Sequence, residues 1–123
     1  METDSLPNQP SDGRTAAPSL DAVFDVLANL RRRFALSYLQ DRSTPIAIAD
    51  LIAEVAAHQH ETTPNEIPDE IVQRERIRFH HIHLPKLVDA NLVAVDTDRN
   101  TVVATDALQA IDHLLAIATE NDP

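Results

Sequence analysis

Between Arg74 and Lys86 the chain places four of its ten basic residues, Arg74, Arg76, Arg78 and Lys86, against a single acid, Glu75. His80, His81 and His83 lie in the same stretch, three of the six histidines. Guanidinium groups hold phosphates or read guanine edges. The chemistry this points to is DNA contact by Arg74, Arg76, Arg78, His80, His83 and Lys86. On a regular helix Arg74 and Arg78 share one face, while Arg76, His80 and His83 fall near the opposite one, so at most one set meets a groove. The competing use of the same charges is pairing with Glu70 and Glu75 along the helix and salt bridges between subunits.

Other chemistries find less material. His80 and His83 stand three apart on the helix, with His58 and His60 in the preceding loop, and zinc can use such a set. No cysteine is present to complete it, and the favoured reading is histidines that hydrogen-bond across the helix packing. No metal or cofactor is therefore expected. A pH-dependent DNA affinity is a further reading, because histidine titrates near neutrality. The one glycine sits at position 13, so there is no glycine-rich phosphate loop. No nucleophile stands in a recognisable turn, and no enzyme is expected.

A length of 123 residues points to one domain with a small core. No apolar run is long enough to span a membrane, and no secretory signal precedes the first polar stretch. A cytoplasmic location follows as the expectation. The formal charge is −10, with Asp (thirteen) outnumbering Glu (seven), and one Lys beside nine Arg. That bias resembles the proteomes of extreme halophiles. In molar salt the Debye length falls to about 3 Å, so local charge matters more than net charge.

The elements that must position the basic stretch are expected as follows. Residues 1–18 carry three Pro and the only Gly, and read as a disordered tail. A first helix starts after Ser19 and carries the stripe Val23, Leu27, Leu30, Phe34 and Tyr38. Arg31-Arg32-Arg33 lies on it, either as a phosphate contact by one or two of the three or, preferred, as a salt-bridged helix end. Ile46 pairs briefly as a short strand. A second helix covers about 47–57, with a weak start at Ala47. His58 to Pro68 is a loop. The third helix begins near Asp69, with the stripe Ile77, Leu84 and Val88 turned to the core, and Ile71, Phe79 and Ile82 forming a second apolar face. Pro85 kinks or breaks it, because proline removes a hydrogen bond and clashes one turn back. Leu92–Val95 and Thr101–Thr105 form a hairpin around Thr97–Asn100, in which Asn100 can turn left-handed. A last helix runs over about 106–119, with Asp106 and Gln109 as a capping box, and residues 120–123 are disordered.

Three helices, a hairpin and a closing helix give a mainly α fold with a small β-hairpin, a winged helix-turn-helix over residues 19–119. The third helix, about 69–90, is then the recognition helix. The phrases Leu20-Asp21-Ala22-Val23-Phe24-Asp25-Val26-Leu27-Ala28-Asn29 with Arg31-Arg32-Arg33, then His80-His81-Ile82-His83-Leu84-Pro85-Lys86-Leu87 and Leu92-Val93, resemble a haloarchaeal domain family of predicted winged-helix regulators. More loosely the chain is similar to ArsR-type repressors. The resemblance covers roughly residues 19–118. It implies a transcriptional regulator of a halophilic archaeon, binding double-stranded DNA, with no small-molecule substrate. Two departures stand out. Asn91 occupies a position where glycine is usual, and the wing carries Asp96 and Asp98 against Arg99, which argues against a wing contact with DNA. A homodimer through the last helix is expected. The alternative is a winged helix that serves protein–protein interaction without binding DNA.

Overall fold

The structure is a computed structural model, and it describes residues 19–120. The expected tail at 1–18 and residues 121–123 lie outside the described residues. The elements are α1 (Leu20–Leu27), α2 (Leu30–Gln40), β1 (Ile46–Ala47), α3 (Ile48–Gln59), a short 3-10 turn (Pro64–Glu66), α4 (Asp69–Arg78), a π turn (Phe79–His83), α5 (Leu84–Asp89), β2 (Val93–Asp96), β3 (Thr101–Ala104), α6 (Asp106–Ala110) and α7 (Asp112–Glu120). The three strands form one antiparallel sheet in the order β1-β3-β2. The fold is mainly helical with a small three-stranded sheet, in a winged helix-turn-helix arrangement. α3 and α4 pack against each other, and β2 and β3 form the wing. Ile46 does pair, with Val102 of β3, so the hairpin gains a third strand.

The first helix of the sequence reading is two helices. Ser19 caps α1 by accepting from the Ala22 amide, as its type suggests. The chain then breaks at Ala28, and Asn29 opens α2 by accepting from the amides of Arg31 and Arg32. An asparagine side chain competes well for free amides at a helix start. The break resets the helical phase. Val23, Val26 and Leu27 of α1 and Ala35, Leu36 and Leu39 of α2 are buried, whereas Phe34 and Tyr38 are only partly covered. The expected stripe through Leu30, Phe34 and Tyr38 is therefore corrected.

α3 starts without a side-chain cap at Ala47, as expected. It ends on Glu61 at φ 53°, with the Glu61 amide donating to the His58 carbonyl and the Thr62 amide to the Ala57 carbonyl. This is a Schellman closure built on a residue with a Cβ. The connection to α4 is pinned by Ile67, which is buried with Ala56 and Ala57.

The third helix differs from expectation in its phase. The Leu84 amide bonds to the Phe79 carbonyl, five residues back, in the turn just before Pro85. The wider turn accommodates the proline and inserts one residue, rotating everything after it by about 100° relative to a regular helix. Phe79, His83, Leu84 and Leu87 face the core, while Ile77 and Val88 are exposed at 60% and 41%. Of the expected Ile77–Leu84–Val88 core stripe only Leu84 is buried, and of the second face Phe79 is central to the core while Ile82 is exposed. α5 closes on Asn91 at φ 66°, with the Asn91 amide on the Val88 carbonyl and the Leu92 amide on the Leu87 carbonyl. Asparagine supplies the left-handed residue that glycine usually would. Asn100 is left-handed in the wing, at φ 56°.

The closing helix is also split, at Ile111, and the expected capping box does not form. The residue before α6 is Thr105, whose hydroxyl donates to the Asn91 carbonyl at 2.7 Å instead of capping.

Candidate nucleic-acid interface

The basic residues divide sharply by what holds them. Arg31 makes a two-pronged pair with Glu75, Nε to Oε1 at 2.9 Å and Nη2 to Oε2 at 3.0 Å. Glu75 is buried on the inner side of α4. Its burial acts to raise its pKa, but the Arg31 hydrogen bonds and charge, with smaller help from Arg78 and His60, outweigh that and leave it below the usual value. Arg32 is buried and donates to the carbonyls of Val26 and Asp25, at 3.0 and 2.8 Å. Arg33 donates to the carbonyl of Leu27. Arg42 donates to the Tyr38 carbonyl and lies 3.6 Å over the Tyr38 ring. Lys86 pairs with Asp25 at 2.7 Å.

The Arg31-Arg32-Arg33 run is therefore structural. Arg32 and Arg33 donate to three carbonyls in the last turn of α1, and Arg31 clamps α4. The preferred salt-bridged reading holds for Arg31. Sequence reasoning missed the two carbonyl caps. The signal that could have exposed them is Asn29, a capping residue standing one position before Leu30 and the three arginines.

Arg74, Arg76 and Arg78 on α4 and His80, the second residue of the π turn, are exposed, on both sides of exposed Ile77. The two faces of the sequence reading merge into one broad outer surface, because the buried side is the narrow line Glu75–Phe79–His83. His83 is corrected as a contact residue. It is 3% exposed, with Nδ1 3.1 Å from Nη1 of Arg32. Burial first, then the charges of Arg32, Arg31 and Arg78 against the opposing influence of Glu75, hold its pKa down at about 4. That is the expected histidine hydrogen-bonded across the helix packing. Lys86 is half-buried and pairs at the surface with Asp25 of α1.

The remaining histidines do not gather around an ion. His58 stacks on Phe34 with ring centres 4.2 Å apart, and His60 lies 3.9 Å from Glu75. Among the described residues no group of three or more His, Asp or Glu is placed to hold a metal. No helix among them is long and apolar enough to cross a membrane.

A family model described as a domain of unknown function (DUF7344) matches residues 24–103. The chain belongs to that family. The DUF7344 span runs from α1 through β3, so it holds the double arginine cap, the whole third helix and the wing, and it stops before α6. No curated protein and no solved structure matches the chain. The DUF7344 description assigns no activity, and the regulatory and haloarchaeal parts of the resemblance rest on the residues alone.

Proposed function

We propose that this chain is a DNA-binding transcriptional regulator that lays α4 and the π turn against double-stranded DNA. One observation carries the reading. Of the ten basic residues, Arg14 lies outside the described region, and five of the other nine (Arg31, Arg32, Arg33, Arg42 and Lys86) are tied to carboxylates or carbonyls. Arg74, Arg76, Arg78 and Arg99 are exposed and have no ion pair among the described residues. In a chain with twenty acids, four unpaired arginines on the third helix and the wing are charges kept for an outside partner. Phosphates are the partner that such a surface fits. Three of them project from the helix that a winged helix-turn-helix places in the major groove.

The proposal includes a homodimer, a halophilic archaeal source and a cytoplasmic location, in keeping with the acidic composition and the two-fold pairing of such regulators on half-sites. It includes no catalysis. The test is fluorescence anisotropy with labelled genomic duplexes over a range of potassium concentrations. Wild type should bind with a salt-dependent affinity, and Arg74→Ala with Arg78→Ala should weaken it. Lys86→Ala should leave it unchanged.

A second reading is favoured by Leu20 and Phe24, exposed at 60% and 52% on α1. Here the fold is a protein-interaction module. It gains if no duplex binds and Phe24→Ser abolishes recovery of a stable protein partner.

A further inference from the structure

The wing tip, the start of α3 and the outer side of the third helix enclose a crevice of about 150 Å³. Arg76 and His80 enter it from the third helix, Arg99 and Asn100 from the wing, and Ala47 and Ala49 from the start of α3. No carboxylate lines it. That is unusual in a chain with twice as many acids as bases. Two of the four unpaired arginines thus converge on one small concavity from elements far apart in sequence. Its apolar lining is Ala47, Ala49 and the buried Ile48 and Ile52.

One of the two wing acids is engaged by its own turn. The Asp96 carboxylate faces its own turn, accepting from the amides of Asp98 at 3.0 Å and Arg99 at 3.2 Å. It shapes the turn that carries Arg99. Asn100 is left-handed and its carbonyl accepts from the Ile48 amide at 2.9 Å, which ties the wing tip to the start of α3. The crevice is therefore held on two sides by backbone geometry.

We propose that this crevice holds one phosphate group of a duplex backbone, gripped by Arg76 and Arg99 together, and so fixes the third helix in register on the DNA. The proposal rests on the DNA-binding reading above and assigns the wing a role in it. A phosphate offers several acceptor oxygens to donors that arrive from different sides, and guanidinium groups match that geometry. Contacts of this kind set position and carry no sequence information of their own.

The experiment uses the full chain and a mixed-sequence duplex, with anisotropy measured over a salt series. Arg76→Ala and Arg99→Ala should each weaken binding for all sequences alike and reduce the slope of log affinity against log salt by about one. Because both residues grip the same phosphate, the double variant should lose less than the product of the two single losses, whereas Arg74→Ala combined with Arg99→Ala should lose the full product. Arg99→Lys should recover most of the slope, and thermal melting of each variant separates lost contact from lost fold. Arg99→Ala binding like wild type while Arg74→Ala and Arg78→Ala weaken would overturn the crevice and leave the DNA reading standing. Full multiplicativity of Arg76→Ala and Arg99→Ala would overturn the shared phosphate. No duplex binding by wild type overturns both readings. Inorganic phosphate alone is the last arm. Saturable stabilisation by it that chloride does not reproduce, lost in Arg76→Ala and Arg99→Ala, would make the ligand a free anion and overturn the backbone assignment.

Discussion

Nδ1 of His83 lies 3.1 Å from Nη1 of Arg32, joining the π turn of the third helix to the first turn of α2. A guanidinium only donates, so Nδ1 accepts and the ring proton sits on Nε2. The same guanidinium holds the carbonyls of Asp25 and Val26. One buried cation therefore closes the end of α1, the start of α2 and the middle of the third helix. The outer basic surface is positioned from behind by it.

Removing that cation should be costly to the fold. Arg32→Ala takes the buried donor from the Val26 carbonyl and from Nδ1 of His83, and a second donor from the Asp25 carbonyl, and should destabilise by roughly 2–4 kcal/mol. Arg32→Lys should recover little, because a single ammonium cannot reproduce the planar fork. Urea unfolding measures both. A loss below about 1 kcal/mol for Arg32→Ala would show that the network is not what holds α1 to the third helix.

His83 sets a pH dependence with a definite sign. Its folded pKa is held at about 4, below the ordinary 6.5, chiefly by burial and then by Arg32. The unfolded chain takes up a proton near 6.5 that the folded chain refuses until about 4. Stability from this group is thus fully present above pH 6.5 and is lost as pH falls towards 4, by at most roughly 3 kcal/mol. His83→Asn keeps an acceptor for Arg32 and should flatten the unfolding free energy between pH 6.5 and 4 relative to wild type. Equal slopes for the two proteins would remove His83 from the acid sensitivity.

Glu61 carries a conformational cost that a single change should relieve. It closes α3 at φ 53°, where a Cβ crowds the following carbonyl. The position is exposed. Glu61→Gly should stabilise the domain by about 1 kcal/mol, whereas Glu61→Val should destabilise it. Thermal melting distinguishes them, and a lower melting temperature for Glu61→Gly would contradict the left-handed closure.

Much of the fold was legible because it rests on local signals. Ser19, Asn91 and Asn100 take the roles that their types suggest, as a cap and two left-handed residues. Pro85 announced an irregular turn before it, and the β-prone runs Leu92–Val95 and Thr101–Thr105 around Thr97–Asn100 pointed to the hairpin. What was not legible depended on phase and on partners distant in sequence. A helix wheel assumes that every residue adds the same rotation. The break at Ala28 and the residue inserted at Phe79–His83 each violate that, so stripes drawn across them joined residues that do not share a face. The candidate site was legible as a basic cluster. Its sorting was not, because Glu75 and Asp25 choose their partners only once α1, α2, α4 and α5 are packed. Arg99 was hidden for the same reason, since its crevice is assembled by the wing turn, β1, α3 and the third helix meeting.

The phase of the third helix can be tested without any ligand. If the extra residue at Phe79–His83 rotates the helix as described, Ile77 and Val88 face solvent and Phe79 faces the core. Ile77→Ala and Val88→Ala should then change stability by about 0.5 kcal/mol or less, as exposed substitutions do. Phe79→Ala should cost roughly 3–5 kcal/mol, from lost burial and the cavity left behind. A regular helix through Pro85 makes the opposite assignment, with Ile77 packed beside Leu84. The ratio of the two losses decides between them, since it does not depend on the absolute stability of the domain. A Phe79→Ala variant that is too unstable to measure is replaced by Phe79→Leu, still expected to exceed the Ile77→Ala loss. If Ile77→Ala instead costs more than either Phe79 variant, the π turn is misplaced. The outer surface carrying Arg74, Arg76, Arg78 and His80 would then have to be redrawn.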